Sequence, residues 1–330
     1  MKPIPADDAA IAKAAELLHQ GRLVAFPTET VYGLGADASN PAAVRRIFEA
    51  KGRPADHPLI VHIADINKLS IWAESVPEAA LRLAARFWPG PLAIILKKKA
   101  SVPLEVTGGQ DTIALRIPNN PVALRLLQTF GGGIAAPSAN RFKRISPTQA
   151  SHVAEELGDV VDMILDGGPC QVGVESTIVD LSGPQPILLR PGHITRQQLE
   201  DVLQTELIIL QHPEQSTLRA PGLMAVHYAP VTKAMLCAGE DLPDIVQSLT
   251  AQGQKIGLLG YQQAIRAHLQ LHSIRLPQQA EAYAQALYAA LRELDRLQLD
   301  LILVEQPPET EAWRAINDRL NKATVPFQSN

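Results

Sequence analysis

The strongest constraint on the fold is the run at residues 24–36, Val-Ala-Phe-Pro-Thr-Glu-Thr-Val-Tyr-Gly-Leu-Gly-Ala. Residues 23–26 form a short apolar strand with buried neighbours on both faces. The polar residues just beyond it, Thr28, Glu29 and Thr30, then fall at the rim of the sheet, where open α/β sheets bind ligands. Gly33 and Gly35 allow tight backbone geometry and close approach to a ligand. A helix follows with Asn40 as N-cap and Pro41 in its first turn, and it ends at Lys51-Gly52. Residues 53–58 form a rigid, cationic loop, and residues 59–63 read as a second buried strand carrying His62. Two strand ends and a basic loop thus deliver hydroxyls, two cations and two histidines within one short span. A core needs none of them. Gly-x-Gly by itself is a weak signal, because the third glycine of a dinucleotide fingerprint is missing. The weight lies in the combination.

Strands and helices keep alternating along the next stretch. Further strands are predicted at 92–96, 111–118, 134–135, 163–166, 178–181 and 187–189, with helices at 7–19, 78–87, 121–128 and 195–203. On the strand at 111–118, Thr112, Ala114 and Arg116 share one face. An arginine on a strand made for the interior demands an anionic partner, either a core carboxylate or a ligand. In Ala136-Pro137-Ser138-Ala139-Asn140, small residues leave room beside two hydrogen-bonding side chains. Ser146-Pro147-Thr148 is predicted to open a helix, with Ser146 as N-cap and free N–H groups facing an anion. Residues 1–206 therefore read as one α/β domain.

Residues 207–230 contain Gln211-His212-Pro213, Ala220-Pro221-Gly222 and His227-Tyr228-Ala229-Pro230, a composition that fits an ordered linker. Residues 231–330 show a second α/β pattern, with strands at 233–237, 255–259, 271–276 and 301–305 and helices at 242–252, 281–297 and 313–322. This predicts a small parallel-sheet domain of Rossmann-like type.

The chain has 330 residues, enough for two domains, and 46% of them are hydrophobic. A net charge of −4 argues against broad electrostatic binding to nucleic acid, so any anion site is a local pocket. Cys170 and Cys237 are the only cysteines, which excludes a disulfide framework and a thiolate zinc site and suits a reducing cytoplasm. No apolar run approaches the ~20 residues of a membrane span, so a soluble, cytoplasmic protein is expected. Gly-x-x-x-x-Gly-Lys-Ser/Thr, Gly-x-Ser-x-Gly and His-Glu-x-x-His are all missing. Cations at Lys51, Arg53, Arg116 and Arg190, with hydroxyls at Thr30, Thr112, Ser138, Ser146 and Ser176, suggest a phosphorylated ligand. Without a strong nucleophile or a metal cage, catalysis by positioning and charge neutralisation is the natural mechanism. Arg116 suits a carboxylate held in a forked pair.

Read in order, Pro-Thr-Glu-Thr-Val-Tyr-Gly-Leu-Gly at 27–35, Lys-Gly-Arg-Pro at 51–54, His-Pro-Leu-Ile-Val-His at 57–62 and Trp-Pro-Gly-Pro at 88–91 form a recognisable series. Ala-Pro-Ser-Ala-Asn at 136–140, Ser-Pro-Thr at 146–148, Gly-Val-Glu-Ser-Thr at 173–177 and Leu-Arg-Pro-Gly at 189–192 continue it. Over about residues 8–205 the chain resembles the YrdC-type threonylcarbamoyl-AMP synthases. The linker and second domain resemble the longer, two-domain form.

The resemblance implies a YrdC-like twisted open sheet with helices, then a linker over the active site and a smaller Rossmann-like α/β domain. It implies a nucleotidyltransferase that converts L-threonine, bicarbonate (or CO2) and ATP to L-threonylcarbamoyl-AMP and pyrophosphate. The product would pass to a tRNA threonylcarbamoyltransferase, with no strong direct binding of nucleic acid and no membrane. Mg²⁺ would be bound through the ATP phosphates, with no metal ligand from protein side chains. By the same resemblance, Thr30, His62, Arg116, Ala136 and Ser176 contact L-threonine. Lys51, Arg53, Ser138 and Asn140 match the Lys-x-Arg and Ser-x-Asn catalytic pairs. Arg53, His57, Thr112, Ser138, Ser146, Arg190 and the linker residue Tyr228 fall where ATP is contacted.

Competing readings are a non-catalytic RNA-binding or regulatory YrdC-like protein and a carbamoyltransferase of hydrogenase maturation. The acidic balance and an aromatic content of 4% weigh against an RNA-binding module. The missing zinc-finger cysteines weigh against the hydrogenase type, and the intact Lys-x-Arg and Ser-x-Asn pairs against a degenerate regulator.

Overall fold

The computed structural model describes residues 1–210, 219–222, 224, 226–262, 265 and 267–327. It separates into two units, residues 1–142 with 146–224, and residues 143–145 with 225–330. Gln211-His212-Pro213 of the expected linker lies outside the described residues.

The first unit begins with β1 (Ile4–Pro5), α1 (Asp8–His19), β2 (Val24–Phe26), β3 (Gly33–Asp37), α2 (Pro41–Lys51) and β4 (Ile60–His62). It continues through α3 (Leu69–Trp72), α4 (Glu78–Phe87), β5 (Leu92–Lys97), α5 (Leu104–Thr107), β6 (Thr112–Arg116), α6 (Pro121–Phe130) and β7 (Ile134–Ala135). The last elements are α7 (Ala150–Leu157), β8 (Met163–Asp166), β9 (Thr177–Asp180), β10 (Ile187–Arg190), α8 (Arg196–Leu203) and β11 (Ile208–Ile209).

Local chemistry explains where several helices start and stop. The Asn40 side chain accepts from the N–H groups of Ala42 and Ala43, Pro41 opens α2, and Gly52 closes it in the left-handed region at φ 61°. Asn120, Pro121 and Gly131 repeat the device on α6. Thr195 and Gln198 form a reciprocal capping box on α8.

Among the described residues, eleven strands form one mixed sheet in the order β1-β8-β2-β3-β7-β4-β6-β5-β9-β10-β11. Alternation along β2 shows why it is apolar throughout: Ala25 packs into one core cluster, and Val24 and Phe26 into the cluster on the opposite face. Gly33 and Gly35 were expected to allow tight backbone geometry and close approach to a ligand, and no strand was predicted there; they lie on β3. It is a strand antiparallel to both β2 and β7. Gly35 is there for packing, since a Cβ would sit 2.8 Å from the Phe26 ring and 2.9 Å from Ile134 Cγ2. Part of the expected linker is also strand, because β11 pairs in parallel with β10.

The helix expected at Ser146 starts later, at Ala150, and Ser146 does not cap it. The Pro147 carbonyl accepts from Tyr32 N at 2.8 Å and the Thr148 carbonyl from Cys170 N at 2.9 Å. Those carbonyls are therefore committed to neighbouring segments and cannot start a helical ladder.

The second unit runs β12 (Ala234–Cys237), α9 (Leu242–Ala251), β13 (Ile256–Gly260), β14 (Leu271–Arg275), α10 (Ala280–Arg296), β15 (Leu301–Glu305), α11 (Arg314–Ala323) and β16 (Val325–Pro326). Its strands pair in parallel in the order β14-β13-β15-β12-β16, so the expected Rossmann-like parallel sheet is present. Cys237, Leu242, Val246, Ile256, Leu258, Leu301 and Leu303 form its core. No described helix is long and apolar enough to cross a membrane.

Candidate active site

The end of β6 delivers Arg116 next to the polar turn that follows β2. His62 on β4 is its neighbour in register. Arg116 is 3% exposed, so its charge needs compensation inside the protein. Its Nη2 donates to Thr30 Oγ1 at 3.0 Å and lies 2.7 Å from Glu29 Oε1, while Nε donates to the Gly90 carbonyl at 3.2 Å. The anionic partner demanded by the sequence is therefore a core carboxylate, Glu29. Thr28 locks the turn: its hydroxyl donates to the Val31 carbonyl at 2.6 Å and accepts from the N–H groups of Thr30 and Val31.

His62 titrates far from its ordinary range. Burial, helped by the Arg116 charge, holds its pKa down to about 3, and backbone groups of Ile134 and Ile60 oppose this only in part. The folded protein thus keeps the imidazole neutral, whereas the unfolded chain protonates it near pH ~6.5. Between those values the unfolded state binds the extra proton. The contribution is fully present above about pH 6.5 and is lost as pH falls toward 3. At about pH 4 this is worth on the order of 3 kcal/mol. A His62→Gln variant is expected to lose less stability than the parent between pH 7 and about pH 4, read as free energies of unfolding from denaturant titrations. Equal losses in the two proteins would rule out His62 as the titrating group.

The Lys-x-Arg and Ser-x-Asn residues meet directly. Lys51 ends α2 as a buried side chain, and its Nζ donates to the carbonyls of both Ser138 and Asn140. Burial, with Arg53 adding, holds the Lys51 ammonium well below its ordinary range. Arg53 Nη2 donates to the Pro58 carbonyl at 3.0 Å, which braces the basic loop. The His57 ring packs edge-on against Phe142, with centroids 5.5 Å apart. Ser138 is bridged to Gly33, and Ala136 N donates to the Ile60 carbonyl at 3.0 Å. The small residues at 136–140 are thereby tied to both β3 and β4.

A third group comes from β9 and β10. Arg190 Nε donates to the Ser176 carbonyl at 2.9 Å, Nη2 to Ser176 Oγ at 3.1 Å and Nη1 to the Pro221 carbonyl at 3.0 Å. Gly192 allows the turn after β10 to close on β9, since a Cβ would lie 2.4 Å from Thr177 N. Ser146, in place of capping a helix, donates its hydroxyl to Glu175 Oε1 at 2.5 Å. Thr112 pairs with Lys97 at the start of β6 and lines a small cleft with Leu59, Ala114, Ala220 and Pro221. Thr30, His62, Arg116, Ala136, Ser176, Lys51, Arg53, His57, Thr112, Ser138, Asn140, Ser146 and Arg190 all belong to the first unit.

Tyr228 belongs to the second unit. It is 1% exposed at φ 61°, stacked on Tyr288 with centroids 6.0 Å apart, and the Arg319 guanidinium lies 5.3 Å from its ring centre.

Sequence reading had left Glu29 and Glu175 without a role. The available signal was the buried arginine, which requires a nearby carboxylate without saying which one. Burial, with the Glu29 charge adding, pushes the Cys170 thiol up and keeps it in the unreactive thiol form. Among the described residues no group of three or more His, Cys, Asp or Glu side chains is arranged to hold a metal ion.

Comparison with known proteins places the chain in a family. The Sua5_yciO_yrdC family, described as Telomere recombination, matches residues 16–192. The domain described as Threonylcarbamoyl-AMP synthase, C-terminal domain, matches residues 194–325. The chain is 42% identical to the threonylcarbamoyl-AMP synthase of Pyrococcus abyssi, over 94% of this chain and 93% of that protein. It is 43% identical to the threonylcarbamoyl-AMP synthase of Bacillus subtilis, over 96% and 93%. Its structure is similar to the crystal structure of P. abyssi Sua5 complexed with L-threonine, with a TM-score of 0.90 at 40% identity, covering 96% of each chain. The resemblance read from the motifs is thus borne out, and the chain belongs to the Sua5_yciO_yrdC family in its two-domain form.

Proposed function

We propose that this protein is a threonylcarbamoyl-AMP synthase. It joins L-threonine, bicarbonate (or CO2) and ATP into L-threonylcarbamoyl-AMP with release of pyrophosphate, as a nucleotidyltransferase. Threonine's nitrogen captures CO2 as a carbamate, and the carbamate oxygen attacks the α-phosphate of ATP. The substrates carry the nucleophile, so the protein's task is to hold anions together and neutralise the charge that builds as pyrophosphate leaves.

In this reading Arg116 grips the threonine carboxylate, and Thr30, His62, Ala136 and Ser176 complete that pocket. Lys51, Arg53, Ser138 and Asn140 serve the phosphates, with His57, Thr112, Ser146 and Arg190 around the nucleotide. Tyr228, from the linker at residues 207–230, is assigned to ATP by the family resemblance alone. Mg²⁺ would arrive on the ATP phosphates and be held through them. The product would go to a tRNA threonylcarbamoyltransferase in the cytoplasm.

The observation that supports the reading most is the 3.1 Å hydrogen bond from Arg190 to Ser176 Oγ. It sets a residue assigned to ATP against one assigned to threonine, the adjacency a joining reaction requires. The test is pyrophosphate release from ATP and bicarbonate, with and without L-threonine. Threonine-dependent release is expected; release at background with folded protein and Mg²⁺ would return the protein to a binding role.

A further inference from the structure

Cations dominate the candidate site, with Lys51, Arg53, Arg116 and Arg190 all present. The buried carboxylates among these residues are Glu29 and Glu175. Glu175 Oε1 already receives the Ser146 hydroxyl at 2.5 Å. Glu29 differs. Both of its oxygens are buried, Oε1 is in ion-pair contact with Arg116, and neither accepts a hydrogen bond of good geometry from a described group. A buried carboxylate has about four acceptor directions, and leaving them unused is costly. On the other side of the same ion pair, the Arg116 donors in use are Nε and Nη2, and Nη1 makes no hydrogen bond to a described group. The pair therefore offers one unspent donor group and one unspent acceptor.

We propose that Glu29 is the group that recognises the substrate's α-ammonium, so that Glu29 and Arg116 together select a zwitterion. Given an amino acid at Arg116, as proposed above, its carboxylate takes Nη1 and its ammonium takes the free acceptor of Glu29. An ammonium brought into a buried site beside the Arg116 guanidinium is otherwise uncompensated, which makes a carboxylate partner a physical requirement. The same contact fixes the position of the nitrogen, which bonds to CO2 only once the ammonium has given up a proton and which releases a second proton as the carbamate forms. Glu29 is then a specificity-determining residue as well as the support of Arg116, and it discriminates against hydroxy acids of similar shape.

The test is calorimetric titration of the full-length protein and its Glu29→Gln variant with L-threonine and with 3-hydroxybutyrate, which lacks the amino group. The parent is expected to prefer threonine by on the order of a hundredfold or more. In Glu29→Gln that ratio collapses toward unity, because threonine binding weakens while 3-hydroxybutyrate binding stays within a few-fold. Glu29→Asp, which keeps the charge, regains part of the ratio. Equal weakening of both ligands in Glu29→Gln would overturn the proposal and leave Glu29 as a support for Arg116 alone. Should Glu29→Gln fail to fold, the parent alone decides: 3-hydroxybutyrate binding within tenfold of threonine overturns it. Failure of the parent to bind either ligand is a separate result, which removes the amino-acid site itself.

Discussion

Replacing Arg116 by alanine is expected to lower threonine-dependent pyrophosphate release by on the order of a thousandfold and to destabilise the first unit by about 3–5 kcal/mol. Both effects come from one guanidinium. Its removal strands Glu29, whose side chain is 4% exposed and whose Oε1 lies 2.7 Å from Nη2, and it also takes a donor from Gly90 and Thr30. Removing one partner of a buried pair leaves an uncompensated charge, which is costlier than losing the pair as a whole. The double variant Arg116→Met with Glu29→Gln is therefore expected to recover most of the stability while remaining inactive. Arg116→Lys keeps the charge but not the fork, so it should fold better than the alanine variant and still bind threonine poorly. Denaturant titrations and steady-state rates on the same preparations separate the two effects. An Arg116→Ala enzyme within tenfold of the parent rate would remove Arg116 from the amino-acid site.

What could be read from the sequence was chiefly what neighbouring residues decide. The limits of α2 were legible because Asn40, Pro41 and Gly52 act within a single turn of the helix they bound. The strand carrying Arg116 was legible because its apolar pattern is local, and the need for an anion followed from burial alone. The identity of that anion was not legible. Glu29 and Arg116 lie far apart in the chain and meet only when β6 and the turn after β2 reach the same rim, a matter of sheet order.

β3 was missed because glycine is disfavoured in strands, and the reason for Gly35 lies on other strands, at Phe26 and Ile134. Ser146-Pro147 carries a good local helix-start pattern, yet Tyr32 and Cys170 claim the carbonyls that a helix would use. In both cases a nonlocal partner outweighed a correct local preference. The Lys-x-Arg and Ser-x-Asn pairs were recognisable through the family resemblance. Their meeting through Lys51 Nζ and the carbonyls of Ser138 and Asn140 was not, because backbone acceptors leave no trace in sequence.

Lys51 carries the second large effect expected. Lys51→Met keeps most of the buried stem but removes the donor, which leaves the carbonyls of Ser138 and Asn140 short of a partner at a cost of roughly 1–3 kcal/mol. Turnover should fall by about a hundredfold to a thousandfold, the usual effect of removing one charge-stabilising donor. A second consequence separates this from simple loss of packing. Burial first, and Arg53 second, hold the Lys51 ammonium well below its ordinary range in the free protein. A polyphosphate bound beside it favours the charged form and raises that pKa again. Between the free and bound values the lysine is neutral before binding and charged after it, so ATP binding takes up a proton. Apparent ATP affinity accordingly falls as pH rises through that window. Calorimetry of ATP binding in two buffers of different ionisation enthalpy measures the uptake directly. It should be present in the parent and lost in Lys51→Met. Equal uptake in the two proteins would assign the proton to another group and leave Lys51 as a brace for residues 138–140.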